Sequence, residues 1–81
     1  DISVDESTQD TILNLVRNYK EIKNVESLYS TPSGYKYIII LTISVDGNMS
    51  TFESHKLADS LEKDIKKLDN VSNAIIHVNP V

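Results

Sequence analysis

Two histidines, His55 and His77, are the residues whose chemistry matters first. Neutral imidazole binds borderline divalent cations, and its affinity falls as pH drops through ~6.5. Two ligands alone make a weak site, because structural zinc normally takes four. Neither histidine has a carboxylate beside it in sequence to orient it, so no Ser–His–Asp arrangement can be placed. The chain has no cysteine, which removes thiolate zinc sites, cysteine nucleophiles and disulfides. There is no Gly-rich phosphate loop. The carboxylates Asp59 and Glu62 stand among Lys56, Lys63 and Lys66 and read as a solvated, charge-paired helix face. With no nucleophile–base pair, an enzyme such as a small hydrolase is disfavoured. On these residues alone, a cation site and two ordinary surface histidines are equally open.

The elements that must position these residues can be read from periodicity and punctuation. Ser7 is a candidate cap for a first helix over about Thr8–Lys20, with Ile12, Leu13, Val16 and Tyr19 on one stripe. A turn over Glu21–Asn24 follows, and Val25–Thr31 reads as a strand. Thr31-Pro32-Ser33-Gly34 is a turn, and Tyr35–Val45, rich in β-branched and aromatic residues, is the strongest strand. Ser50 and Glu53 form a capping box that opens a second helix to about Leu68, with Leu57, Ala58, Leu61, Ile65 and Leu68 as its apolar stripe. Asn73–Val78 is the last strand, and Pro80 is expected to end its pairing. The order α-β-β-α-β predicts an α+β two-layer sandwich, a ferredoxin-like plan with two helices on one face of a three-stranded sheet.

Alternation along the strands sorts the side chains into two faces. Tyr37, Ile39, Leu41, Ile43 and Val45 form one wholly apolar set, expected under the helices. The opposite set places Ile38, Ile40 and Thr42 on the open face, together with Ile75, His77 and Asn79 from the last strand. Ile38, Ile40 and Ile75 there read either as scattered surface apolars, which are common, or, as the sharper expectation, as a patch for self-association. Burying a few hundred Å² per subunit supplies several kcal/mol at ~25 cal/mol/Å² before association costs. The need for a partner is plausible on size: 81 residues make one domain, and a domain that small buries only about 60–65% of its unfolded surface. The net charge of −4 argues against nonspecific binding to nucleic acid or anionic lipid. The longest apolar run, Tyr37–Leu41, is far below the ~20 residues of a membrane span. A start at Asp1 rather than Met is what a piece of a longer protein would show.

From Ile12 to Pro80 the chain resembles the C-terminal cytoplasmic domain of the cation diffusion facilitator (cation efflux) family. The resemblance rests on ordered segments: Ile12-Leu13-Asn14-Leu15-Val16 leading to Asn24-Val25-Glu26-Ser27-Leu28, the turn Thr31-Pro32-Ser33-Gly34, and the strand Tyr37-Ile38-Ile39-Ile40-Leu41. It continues through Ser54-His55-Lys56-Leu57-Ala58-Asp59-Ser60-Leu61-Glu62 and Ile75-Ile76-His77-Val78-Asn79-Pro80. The resemblance implies a parent membrane transporter that exports a divalent cation such as zinc, iron, manganese or cobalt in exchange for protons. It implies that residues 1–7 are a leader from the upstream membrane part and that residues 8–81 are a cytoplasmic α-β-β-α-β domain that pairs as a homodimer. It further implies divalent metal at the dimer interface, zinc first, with His55 and His77 at ligand positions. Asn79 stands where metal-binding members often have Asp, and an amide is the poorer zinc ligand. Fuller sites place His near Glu26 and at Thr42; here Glu26 retains a ligating group and Thr42 is a poor one. A different reading of the same chain is a stand-alone ferredoxin-like ligand-sensing or protein-interaction domain with no metal role. Sequence upstream of Asp1 would discriminate: hydrophobic spans favour the transporter, a catalytic or DNA-binding domain the alternative.

Overall fold

The computed structural model describes residues 4–81. Its elements are α1 (Glu6–Arg17), β1 (Ile22–Ser33), β2 (Lys36–Val45), α2 (Thr51–Lys66) and β3 (Val71–Pro80). They form an α+β sandwich of two helices on a three-stranded sheet ordered β1-β2-β3, as the periodicity predicts. β1 and β2 pair antiparallel, and β2 and β3 pair parallel across the α2 crossover. β2 is thus the central strand, and its alternation decides what each face of the sheet is.

Ile39, Leu41 and Ile43 are 0% exposed and Val45 is 1% exposed. They pack with Ile12 and Val16 of α1 and with Leu57, Leu61 and Ile65 of α2 in one hydrophobic core. Ala74 of β3 belongs to the same core, with Ile76 and Val78 packed against it. The helix-side stripe is therefore continuous over the strands. Tyr37, the fifth residue of the expected buried set, is only half-buried at the end of the sheet.

The helix ends are set by caps. At α2, Glu53 N–H donates to Ser50 Oγ (3.0 Å) and Ser50 N–H to Glu53 Oε1 (3.3 Å), the reciprocal box expected from the sequence. α2 stops at Lys66 rather than Leu68, and Leu68 still packs on the core from beyond the helix. At α1 the cap is Asp5, not Ser7: its Oδ1 accepts from Thr8 N–H at 2.8 Å. A carboxylate satisfies the same donor as a hydroxyl and adds a favourable charge at the positive end of the helix. The helix accordingly begins at Glu6, two residues before the expected Thr8. The packing reaches further back still, since Val4 is buried and its N–H donates to Ser30 Oγ at 2.8 Å.

The strands outrun the sequence-based bounds. β1 takes in Ile22–Asn24, expected as a turn, because Val45 and Ser44 offer it partners, at the cost of irregular register at both Ile22/Asn24 and Val25/Ser27. The hairpin loop is only Gly34-Tyr35. Gly34 has φ of +63° and Tyr35 does not have positive φ, the pattern of a II′ turn with Gly first. Pro32 therefore sits inside β1, opposite Tyr37, where an edge strand tolerates a missing donor. The same logic corrects the expectation at Pro80. It pairs with Val45, and the ladder continues through Val81 N–H, which donates to Val45 O at 3.0 Å. Gly47 N–H then donates to Val81 O at 2.8 Å, so the end of β3 meets the loop that leads into α2.

Candidate functional site

The open face of the sheet is built in rows across three strands. The register gives Thr31–Ile38–Asn73, then Tyr29–Ile40–Ile75, then Ser27–Thr42–His77, then Asn24–Ser44–Asn79. Ile38, Ile40 and Thr42 are half-buried by their neighbours in the sheet. They alternate with the fully buried core residues and so lie on the side away from the helices. Ile75 is 42% exposed and Tyr29 is 63% exposed. The second row is therefore an apolar strip spanning the sheet. Tyr29 was not among the residues singled out by sequence; the hairpin register that places it beside Ile40 is the signal that finds it.

The next two rows are polar and carry three of the four expected ligand positions. His77 lies beside Thr42 on β3. Asn79, two residues on, shares its face. Glu26 belongs to β1 and reaches the same face because of an irregularity in register: between the pairs Val25–Ile43 and Ser27–Thr42 it is an extra residue. A bulge of this kind re-aims a side chain that strict alternation would send elsewhere. Asn79 Nδ2 donates to Glu26 Oε1 at 3.0 Å and to Oε2 at 3.2 Å. A carboxylate only accepts, which fixes the amide with its nitrogen toward Glu26. The bridge runs from β1 to β3 across the row occupied by Ser44. Ser44 is 2% exposed although it lies on the open side, and its Oγ has no hydrogen-bond partner among the described residues.

His55 is not brought to this group. It lies in the first half of α2, on a groove with Ala58, Glu62, Ile76 and Val78, at the helix side of β3. His77 sits between Ile76 and Val78 in the strand and points to the other side of the sheet. Among the described residues, no group of three or more His, Asp or Glu is arranged to hold a metal ion. Imidazole and carboxylate suit a borderline divalent cation by their chemistry. One chain, however, presents His55 and the His77 group on two sides of a sheet, so it does not by itself gather the set around a cation.

Of the charged set expected on α2, one pair forms, Glu62–Lys66, and a second joins Asp64 to Lys67. Lys66 Nζ lies 3.5 Å from Glu62 and Lys67 Nζ 3.7 Å from Asp64, both pairs at the surface. Among the described residues, no helix is long and apolar enough to cross a membrane.

A sequence model of the family described as "Cation efflux protein, cytoplasmic domain" matches residues 4–81. The metal-bound C-terminal domain of the CzcD transporter from Thermotoga maritima is similar in structure, with a TM-score of 0.87 and 29% identity. It matches over 91% of this chain and 87% of that one. The cytosolic domain of a cation diffusion facilitator family protein superposes with a TM-score of 0.85 at 28% identity, over 93% of this chain and 90% of that one. Protein p34 of Rickettsia rickettsii is 28% identical over 80 residues, which are 99% of this chain and 27% of that protein. The chain thus spans about a quarter of the length of the curated relatives it matches. The helix pair on a β1-β2-β3 sheet, the His77–Asn79 strand end and these matches together establish that the chain belongs to the cytoplasmic-domain family of cation efflux proteins.

Proposed function

We propose that this domain pairs two copies of a divalent-cation efflux transporter and couples their association to the cation. The parent is a membrane protein that exports the cation in exchange for protons, with the start of the chain leading from its membrane part and this domain in the cytoplasm. The observation that carries the pairing is the Tyr29–Ile40–Ile75 strip on the helix-free face. An apolar strip rimmed by polar rows is the surface a soluble domain covers with a partner. The face is its own complement: in a two-fold pair the same strip packs on itself, with Ile38 and Thr42 flanking it. The family is also named for a dimer.

The cation belongs to the polar end of the same face. His77 of one copy supplies an imidazole, and His55 of a second joins it only in a pair set at an angle that brings the rim of α2, beside Ile76 and Val78 at the same end of β3, over the polar rows. Glu26 and Asn79 join as ligands only when their mutual bridge opens. Zinc is the first candidate, because imidazole nitrogen suits it and the CzcD domain was solved metal-bound. Binding would favour the closed pair, and by linkage closing the pair would favour binding.

Calorimetric titration of the chain with zinc tests the ligand assignment. Wild type is expected to bind, and His77→Ala and His55→Ala are each expected to weaken binding about 10-fold or more, as loss of one of few ligands does. Curves for the two variants that overlay the wild type would remove both histidines from the site.

A further inference from the structure

We propose that Asn79 serves as a built-in counter-group for Glu26, so that the polar end of the open face is tied together across all three strands without a cation. The two residues stand on the outer strands, 53 positions apart in the chain, and the Asn79 amide nitrogen meets both oxygens of one carboxylate, at 3.0 and 3.2 Å. β1 and β3 are not hydrogen-bonded to each other, since β2 lies between them. This bridge is therefore a direct link between the sheet's two edges. Beside it on the central strand, Ser44, paired with Asn79 on β3 and Asn24 on β1, is 2% exposed with an unpartnered Oγ. An open polar face would leave that hydroxyl to water.

The chemistry of the pair makes position 79 decisive. Among the described residues, the ion pairs are Glu62–Lys66 and Asp64–Lys67, so no lysine or arginine balances Glu26. The amide does so instead, through a charge-assisted hydrogen bond. A cation seeking Glu26 competes with Asn79 for the same two oxygens. An acid at position 79 would set two carboxylates against each other, so that the tie is lost as they part into water unless a proton or a cation holds them together. One nitrogen atom thus separates a tie that stands alone from one that needs an ion. The inference concerns the stability of this domain and does not rest on the transport reading.

Thermal unfolding of the 81-residue chain tests it, with EDTA and then with zinc as the probe. Asn79→Asp is expected to melt about 5 °C below wild type in EDTA, the shift of roughly one lost interaction in a domain this small. The double variant Glu26→Gln/Asn79→Asp restores an amide facing a carboxylate with the roles exchanged, and it is expected to recover most of that loss in EDTA. Zinc should raise the melting temperature of Asn79→Asp more than that of wild type, and the excess should vanish in the double variant. Either of two results overturns the proposal: Asn79→Asp melting with wild type in EDTA, or the double variant melting as low as Asn79→Asp. Failure of wild type to bind zinc would count against the histidine site and leave these melting comparisons intact.

Discussion

Tyr19 shows what a single side chain does here. It leaves the end of α1 and donates from Oη to Asp64 Oδ2 of α2 at 2.6 Å, with Ser60 Oγ 3.0 Å away. Burial, and then the hydrogen bond to Asp64, hold its phenol above the usual value of 10.0. The folded state therefore prefers the neutral phenol, so this contribution is complete below pH 10.0 and is lost as pH rises beyond it. Tyr19→Phe should lower stability by about 1 kcal/mol at neutral pH, the usual worth of such a bond. It should also flatten the alkaline fall of the melting temperature; a wild-type alkaline limb as flat as the variant's would exclude the clasp. Asp5 runs the other way. Hydrogen bonds from Thr8, side chain first and then backbone, hold its carboxyl below 3.8. Its contribution is present above pH 3.8 and is lost as pH falls through the depressed value. Asp5→Asn keeps a cap and removes the titration, so it should lose less on acidification, by circular dichroism melts between pH 5 and 2, than wild type does. Of these residues the sequence exposed the histidines, whose chemistry is rare, but not Tyr19–Asp64. That contact joins positions 45 apart and exists only once two helices pack.

Elements were more legible than residues, for reasons that differ along the chain. α2 carries its own start signal in Ser50 and Glu53 and its own stripe in Leu57, Leu61 and Ile65, so local sequence suffices. β2 declares itself by seven β-branched or aromatic residues among ten, and its alternation located both faces. β1 is half-readable: its ends depend on partners lent by β2, and the irregularity that turns Glu26 onto the open face has no local mark. The Glu26–Asn79 bridge follows from that irregularity and was hidden with it. The hairpin loop offers a clean element-scale check. Gly34 has φ of +63° and open space around it, so a side chain there would meet nothing but an unfavourable backbone. Gly34→Ala should cost about 1 kcal/mol in a denaturant melt, from the left-handed conformation alone. No loss would mean the loop can adopt another turn. Leu61, 0% exposed in the core, sets the contrast. Leu61→Ala should cost about 2–5 kcal/mol through lost burial and the cavity left behind, enough to leave so small a domain largely unfolded.

At the scale of the whole molecule, the fold explains why one face is free. Both helices cover the same side of a three-stranded sheet, and among the described residues no element covers the other. β2 then spends its odd residues on the core and presents Ile38, Ile40 and Thr42 to whatever lies opposite. Tyr29 and Ile75 widen that strip to the edges, and the polar rows with His77, Glu26 and Asn79 sit at one end of it. A twin docked there would bury the strip and bring two sets of polar rows together, which links association to the cation chemistry. Light scattering of the 81-residue chain at tens of micromolar, beside Ile40→Lys, tests this most directly. The expected result is a dimer near twice the 9.1 kDa chain mass for wild type and a folded monomer for Ile40→Lys, its circular dichroism unchanged. A wild-type monomer at that concentration, or a dimer that Ile40→Lys leaves intact, would contradict the pairing of the open faces.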